Sequence, residues 1–223
     1  MPRLNTAVLL TLLVAACSHN PKTQPEMWRH FNQVGQVQSA VIAGDLDAAR
    51  AAALWVADRD SIGDLAAGLR QFETRLRDQA RMASRAATIA AAAQATGEIG
   101  KSCGDCHQAS GTPLKFNYVA APAKSDQPVT AAMLRHQWGA DRMWNGLIGN
   151  ADSSWVAGAR ALAEESTYSE LFNPRSAKGD AMRGLAAAVR RIGREAAATT
   201  DPERRAQQYG ELLGTCAACH RAK

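Results

Sequence analysis

The chain has 223 residues, of which 46% are hydrophobic and only 5% aromatic. With 26 Lys and Arg against 21 Asp and Glu, the formal net charge is +5. This composition excludes an intrinsically disordered protein, and the charge is too small to indicate a nucleic-acid binder. The length corresponds to one or two domains. Five cysteines are too few for a disulfide-dense scaffold, so the information lies in where the five Cys and five His residues fall.

The N-terminus predicts an export signal. Residues 1–16 contain one early charge, Arg3, followed by an apolar stretch that is interrupted only by Thr11. This stretch is too short to span a bilayer and is typical of a secretory signal. No later segment of the sequence is apolar enough to predict a transmembrane helix.

The end of this signal resembles the lipobox of bacterial lipoproteins, because Ala15 and Ala16 are followed at once by Cys17. In that family the signal is cleaved before the cysteine, which is then acylated. The resemblance implies an anchor in the lipid bilayer through Cys17, on the periplasmic side of a bacterial membrane. Ser18 in place of Asp resembles an outer-membrane sorting signal. The alternative is an ordinary secretory signal followed by a stray cysteine. Residues 17–24 are polar and would form a tether.

The rest of the chain predicts an all-α fold. Apolar residues mostly recur at helical spacing, β-branched runs are rare and alanine is abundant. The least helical stretch runs from Gly111 to Pro128 and contains four glycine and proline residues among small and polar ones. Such a stretch is typical of a linker. We therefore predict two domains, 25–110 and 130–223, joined by a linker over 111–129.

The two predicted domains repeat one another. Met27 to His30 matches Met133 to His136 at an offset of 106 residues, and Gly97 to His107 matches Gly210 to His220 at an offset of 113. The seven extra residues of the second half are expected in the connection from Glu165 to Asp180. Two copies of this size indicate duplication of a domain and not a solenoid.

Each half is expected to contain four amphipathic helices, which can close into an antiparallel bundle. Gly44 before Asp45, and Asp201 before Pro202, supply stop and start signals. The predicted helices are Pro25 to Ala43, Asp45 to Asp58, Ile62 to Ser84, Arg85 to Gln108, Thr130 to Ile148, Ser153 to Glu165, Ala177 to Thr199 and Asp201 to Arg221.

Two C-x-x-C-H motifs, Cys103 to His107 and Cys216 to His220, carry the strongest functional signal. This motif is the attachment site of c-type haem. On a helix its three side chains point to one side, so two thioethers can hold the porphyrin edge while imidazole reaches the iron. A redox dithiol would follow a strand in an α/β domain, and a zinc site would need ligand pairs folded together. The motifs thus predict two covalently attached haem c groups, on Cys103, Cys106, Cys216 and Cys219, with His107 and His220 as iron ligands.

The position of the second motif, three residues from the C-terminus, excludes a class I cytochrome c for that half. That fold needs a downstream chain to cover the haem and supply a ligand. A four-helix pattern with haem on the last helix resembles the cytochrome c′ family and its low-spin relatives. The resemblance covers both halves and implies two tandem four-helix bundles, each with a c-type haem on its last helix. The first half departs slightly, because its last helix leads into a linker. Cytochrome c′ relatives are often homodimers, although tandem fusion can replace that interface.

The sixth iron ligand is expected on the first helix of each half, because in the cytochrome c′ family this helix supplies the residue that faces the distal side. His30 and His136 are repeat-equivalent there, and the other unassigned histidine, His19, lies in the tether. Low-spin relatives use a methionine on this helix, so Met27 and Met133 are the rivals. Five-coordinate iron, as in cytochrome c′ proper, is the third alternative.

The pattern as a whole predicts a membrane-anchored di-haem cytochrome c that transfers single electrons between periplasmic or membrane redox proteins. Two axial side chains would leave iron no open position, so an electron carrier is expected and not an enzyme. Two haems in one chain suggest intramolecular transfer or storage of two electrons. Arg29 and Arg135 are candidates for pairing with haem propionates, with a solvated helix face as the alternative. The alternative functions are a gas-binding protein that takes NO or CO on five-coordinate haem and, less favoured, a di-haem peroxidase.

Overall fold

The computed structural model describes residues 23–58, 62–63, 65–123, 128–164 and 176–222. Within these residues the protein is all α-helical, as predicted, with eight α-helices, one 3-10 turn and no β-strand. None of the helices in these ranges is long and apolar enough to cross a membrane. The predicted signal over 1–16, the lipidation site Cys17 and most of the tether lie outside the described residues.

Most helix boundaries fall close to their predicted positions, but the third helix begins at Arg70 and not at Ile62. Gly63 has a positive φ of 35°, and Ala66 is extended at φ −55° and ψ 143°, so a continuous helix cannot form before the 3-10 turn Ala67–Leu69. The helices are α1 (Thr23–Ala43), α2 (Leu46–Asp58), α3 (Arg70–Ser84), α4 (Ile89–Ser110), α5 (Pro128–Ile148), α6 (Asp152–Ala163), α7 (Ala177–Ala197) and α8 (Pro202–Arg221).

Capping residues define the ends of α4 and α8, the helices that carry the motifs. The Thr88 hydroxyl accepts a hydrogen bond from a backbone N–H of the first turn of α4 at 3.2 Å. The Asp201 carboxylate accepts from two N–H groups of α8, and Pro202 follows it at the first helical position. α4 ends at Gly111, whose φ of 63° is left-handed. Local sequence therefore determines where both motif helices begin and where α4 ends.

In each half, consecutive helices pack against one another and the last helix returns to the first. α1 contacts α2, α2 contacts α3, α3 contacts α4, and α4 contacts α1; the same order holds from α5 to α8. The halves also contact each other, through α4 against α8, α1 against α8 and α4 against α5. One hydrophobic cluster, which includes Ile99, Trp155 and Leu212, extends through both halves. The halves therefore share a core.

The internal repeat extends to the burial pattern and the turns. Gly44 and Asn150, which follow α1 and α5, are equivalent at the offset of 106 and both have positive φ, 77° and 48°. The offset of 106 holds through the second helices, and the offset of 113 begins with the third. Two pairs of equivalent buried residues at the offset of 106 are Val37/Met143 and Val56/Leu162. Two pairs at the offset of 113 are Leu76/Val189 and Ala83/Ala196.

The predicted linker lies in contact with the second half. Residues 111–123 have no regular secondary structure. Phe116 nevertheless packs against the shared core, and the Trp138 indole of α5 donates to the carbonyl of Val119 at 3.0 Å. These contacts hold the segment along α5.

Candidate functional site

The two C-x-x-C-H motifs lie in the last turns of α4 and α8. Because their cysteines and histidine are spaced i, i+3 and i+4 on a helix, they emerge on one side of it. Within the described residues, none of the motif cysteines forms a disulfide. The partly buried side chains are Cys103, Cys106 and His107 on α4, and Cys216, Cys219 and His220 on α8.

Burial makes three of the motif thiols, Cys103, Cys106 and Cys216, weaker acids than usual. It raises the pKa of Cys103 to about 12, with the neighbouring Cys106 as the second cause. It likewise raises the pKa of Cys216 to about 12, with Cys219 as the second cause, and it raises the pKa of Cys106. A redox dithiol needs a low thiol pKa, because the thiolate is the nucleophile. These surroundings therefore do not suit a redox dithiol.

In the first half, the candidate distal histidine lies within electrostatic reach of the motif histidine. His30, on α1, is only 2% exposed. Burial is the main reason that its pKa falls from 6.5 to about 4, and the charge of His107 is the second. Burial also lowers the pKa of His107, against the opposing effect of a hydrogen bond with the Thr112 backbone. A metal-ligating histidine usually makes such a bond with its second nitrogen. Both imidazoles are thus held in the neutral form that can bind iron.

In the second half, the third helix also contributes to the surroundings of the site. His136 on α5 is partly buried, and burial lowers its pKa, with the charge of Arg190 as the second cause. The Cys219 Sγ lies 3.9 Å from the Sδ of Met182 on α7. Met182 is 4% exposed, and it has no equivalent methionine in the first half. The side chains of α7 therefore approach both the motif and the distal candidate.

The rival methionines lie one turn before the histidines. Met27 is partly buried, whereas His30 is almost fully buried. Met133 packs against the small cluster of Ala132 and Ala186. Burial therefore favours His30 over Met27 in the first half.

The arginines that the sequence suggested for the propionates have partners of their own. The Arg29 guanidinium lies 5.8 Å from the centre of the Trp55 ring. Arg135 donates to the carbonyl of Pro122 at 3.1 Å and forms an ion pair with Glu164. These contacts direct Arg29 toward α2 and Arg135 toward the linker and the end of α6.

A second pair of arginines, which the sequence reasoning missed, lies on the third helix of each half. The pKa of His30 is lowered by the charge of Arg29 and, to a smaller extent, by that of Arg77 on α3, and Arg190 on α7 lowers the pKa of His136. Arg77 Nε lies 3.6 Å from a carboxylate oxygen of Glu73. The offset from Arg77 to Arg190 is 113 residues, the same as between the motifs. The repeat register alone does not single them out, because it also pairs Arg70 with Arg183 and Arg81 with Arg194.

The surface has two open clefts, of which one lies beside the motif helices. One, of about 560 Å³, is bounded by α4, α7 and α8 and reaches Thr215 and Ala218. The other, of about 610 Å³, lies between α1 and α5 and is lined by Phe31, Asp141 and Trp144 among others. Neither cleft is lined by a cysteine or histidine of the motifs. In the part of the chain that the structure describes, no group of three or more His, Cys, Asp or Glu side chains converges as a metal site would require.

Comparison with known proteins identifies no relative. No protein-family profile, characterised protein or solved structure matches this chain. The motif spacing, the burial of His30 and the charges around it are the features that indicate the chemistry of the site.

Proposed function

We propose that the protein is a di-haem cytochrome c that carries single electrons at the periplasmic face of a bacterial membrane. It would consist of two tandem four-helix domains similar to the low-spin relatives of cytochrome c′. The observation that carries the proposal is the burial of His30 within reach of the charge of His107. This brings a neutral imidazole on the first helix toward the motif histidine on the last. The return of the fourth helix to the first in each half supports the two domains.

The side chains present fit a covalently attached haem. The motif cysteines would form thioether bonds, and His107, His220, His30 and His136 would be the iron ligands. Haem c supplies a reversible one-electron couple between Fe(III) and Fe(II). Two imidazoles at each iron would exclude substrate and water from it, so the protein would transfer electrons without binding a substrate.

The residues around each site would set its reduction potential. Bis-histidine ligation gives a lower potential than ligation by histidine and methionine. Arg77 and Arg190 bring positive charge toward the distal histidines, and positive charge favours the reduced iron. A guanidinium also matches a carboxylate in geometry. We therefore add Arg77 and Arg190 to Arg29 and Arg135 as candidates for propionate pairing, since the charge of Arg29 also acts on His30.

The proposal includes a lipid anchor on Cys17, because stable anchoring needs more than one acyl chain and the lipobox pattern supplies such an anchor. The partners would be redox proteins of the periplasm or of the membrane. The mass of the parent protein should show cleavage before Cys17 and acyl chains on it, whereas Cys17→Ala should keep the signal over residues 1–16 and carry no acyl chain, without loss of haem. Recovery of the parent protein in the soluble fraction would contradict the anchor.

The mass of the purified protein, with its optical and EPR spectra, tests the haem function. We expect the mass of the chain plus two haems, and low-spin ferric signals from both. His30→Ala and His136→Ala should each convert one haem to high spin, while the matched controls Met27→Ala and Met133→Ala leave the spectra unchanged. If the spectra of His30→Ala remain low-spin, the sixth ligand of the first haem is a methionine and not His30. High-spin iron in the parent that takes up CO readily would replace the electron carrier with a gas-binding protein.

A further inference from the structure

The two helices that carry the motifs cross in close contact at a pair of glycines. A Cβ atom added to Gly97 of α4 would lie 3.2 Å from the backbone N of Gly210 in α8. A Cβ atom added to Gly210 would lie 2.8 Å from the Cα of Gln94. The backbones of α4 and α8 therefore meet with no side chain between them.

Contacts on either side of this crossing show that α4 and α8 are antiparallel. Toward the end of α4, Lys101 Nζ lies 3.0 Å from a carboxylate oxygen of Glu203, near the start of α8. Toward the start of α4, the side chain of Ala93 lies 3.8 Å from the Cβ position of Gly214, near the end of α8. Residue numbers thus rise along one helix as they fall along the other.

The contact between the halves has an approximate twofold symmetry. Gly97 and Gly210 are equivalent at the offset of 113, so at the crossing a residue of the first half meets its own equivalent in the second half. At one end, a Cβ atom on Gly44 would lie 3.4 Å from the carbonyl O of Ala217. At the other end, its equivalent Asn150 donates from Nδ2 to the carbonyl O of Gly104 at 2.8 Å. Gly104 and Ala217 are themselves equivalent. Such a self-complementary interface places equivalent features on opposite sides of the axis.

This symmetry places the two motifs at opposite ends of the helix pair. His107 lies ten residues after Gly97, and His220 lies ten residues after Gly210. At a rise of 1.5 Å per residue, each motif histidine is about 15 Å from the crossing. Since the helices leave the crossing in opposite directions, the two histidines are separated by about 30 Å along the pair.

We propose, on the basis of the haem function above, that the two motifs exchange single electrons with partner proteins independently, each at its own end of the molecule. Each motif is thus a separate single-electron port, by which we mean a site of exchange with a docked partner, and the two are not neighbouring centres that pass electrons to each other. At each port, a one-electron donor protein would lose one electron to Fe(III), which becomes Fe(II), and a one-electron acceptor protein would later remove it. Electron tunnelling falls exponentially with distance, so direct exchange across the molecule would be slow compared with exchange with a docked partner. Of the two roles that a pair of haems suggested, intramolecular transfer and storage of two electrons, this proposal does not favour intramolecular transfer; it favours independent exchange at two ends.

Pulsed EPR on the oxidised holoprotein measures the distance between the two ferric ions. We expect about 30 Å, and a distance below about 20 Å would overturn the proposal. The double variant Cys103→Ala with Cys106→Ala, which would keep only the second haem, should lose the dipolar signal. Cys216→Ala with Cys219→Ala is the matched control for the other port. The distance in the parent protein decides the question even if a variant fails to fold.

A redox titration followed by EPR gives a second readout. Removal of one haem should change the oxidised-to-reduced ratio of the other by less than about twofold at a given potential, as for distant independent sites. A change of tenfold or more would show coupled haems and overturn the proposal. The mass of the protein separates the two possible failures. A mass without two haems overturns the haem function, whereas two haems with a short distance or coupled titration overturn only the separation.

Discussion

The close crossing of α4 and α8 depends on the absence of a side chain at Gly97, and Gly97→Ala tests it. The added Cβ would meet the backbone carbonyl of Ala206 and lie 3.2 Å from the N of Gly210. A helix backbone cannot rotate aside as a flexible side chain can, so the two helices must move apart. Overpacking of this kind typically costs about 1 to 3 kcal/mol.

Gly184→Ala on α7 is the matched control. Gly184 also lies inside a helix, but nothing lies within 4 Å of a Cβ atom at that position. Each substitution gains about 1 kcal/mol because alanine favours the helix over glycine. This gain cancels between the two variants, so their difference reports the clash alone. Gly97→Ala should be less stable than Gly184→Ala by about 1 to 3 kcal/mol, or roughly 2 to 12 °C in Tm for a chain of this length.

Thermal unfolding of the oxidised holoproteins, followed by circular dichroism and calorimetry at one pH, measures this difference. Gly210→Ala should resemble Gly97→Ala, because its Cβ would lie 2.8 Å from the Cα of Gln94. If Gly97→Ala is as stable as Gly184→Ala or more stable, the two helices do not cross at these glycines. The separation of about 30 Å that follows from the crossing and the helix rise would then be wrong too.

Three further predictions concern single side chains. Without iron, the pKa of His30 is about 4 in the folded protein and 6.5 as the reference, and a bond to iron would hold it lower still, so the unfolded state binds more protons than the folded state as the pH falls below 6.5. The stabilisation is complete above about pH 6.5 and falls by up to about 3 kcal/mol as the pH drops to 4. Urea unfolding at several pH values should show this fall in the free energy of unfolding in the parent and not in His30→Gln. An equal pH dependence in the two proteins would contradict the low pKa assigned to His30. Arg77→Gln should lower the reduction potential of the first haem by about 40 to 90 mV, for a charge interaction of about 1 to 2 kcal/mol at an effective dielectric constant near 20. Arg190→Gln should do the same for the second haem, and in a redox titration each variant should leave the other haem unchanged; unshifted potentials would show that these arginines lie away from the haems. Asp201→Ala removes the cap of α8 and should lower the free energy of unfolding by about 1 kcal/mol in urea titrations. Asp47→Ala, at a side chain that is 94% exposed, should cost less, and an equal loss would mean that the cap contributes nothing.

Much of the helical fold could be predicted, because helix periodicity and caps are properties of neighbouring residues. The Asp201 and Pro202 start signal appears as the N-cap and first residue of α8, and α7 begins at Ala177 as predicted. The start of α3 was predicted eight residues too early, because the pattern from Ile62 onward suits a helix until the backbone of Gly63 and Ala66 is known. The local preference for a helix there is overridden, as tertiary context often overrides propensity.

The candidate site was predictable where it depends on spacing and repetition. Cys103, Cys106 and His107 share one side of α4 because of helix geometry alone, and His30 stood out as one of two repeat-equivalent histidines. Arg77 could not be found in this way, since the third helix carries several arginines and only packing shows which one approaches His30. Likewise, only packing shows that Arg29, beside the buried His30, also lies 5.8 Å from the Trp55 ring.

The sequence by itself determined the two motifs, their places at the ends of two similar halves, and the helices that carry them. These features depend on contacts within a few residues, which a periodic pattern encodes directly. Only the tertiary structure decided how the halves meet, because the contact between Gly97 and Gly210 joins residues 113 positions apart. Which helix faces meet, and in which direction they cross, depends on the fit of whole surfaces. This fit puts about 30 Å between the motif histidines, as estimated from the helix rise, and makes two independent ports the expected arrangement.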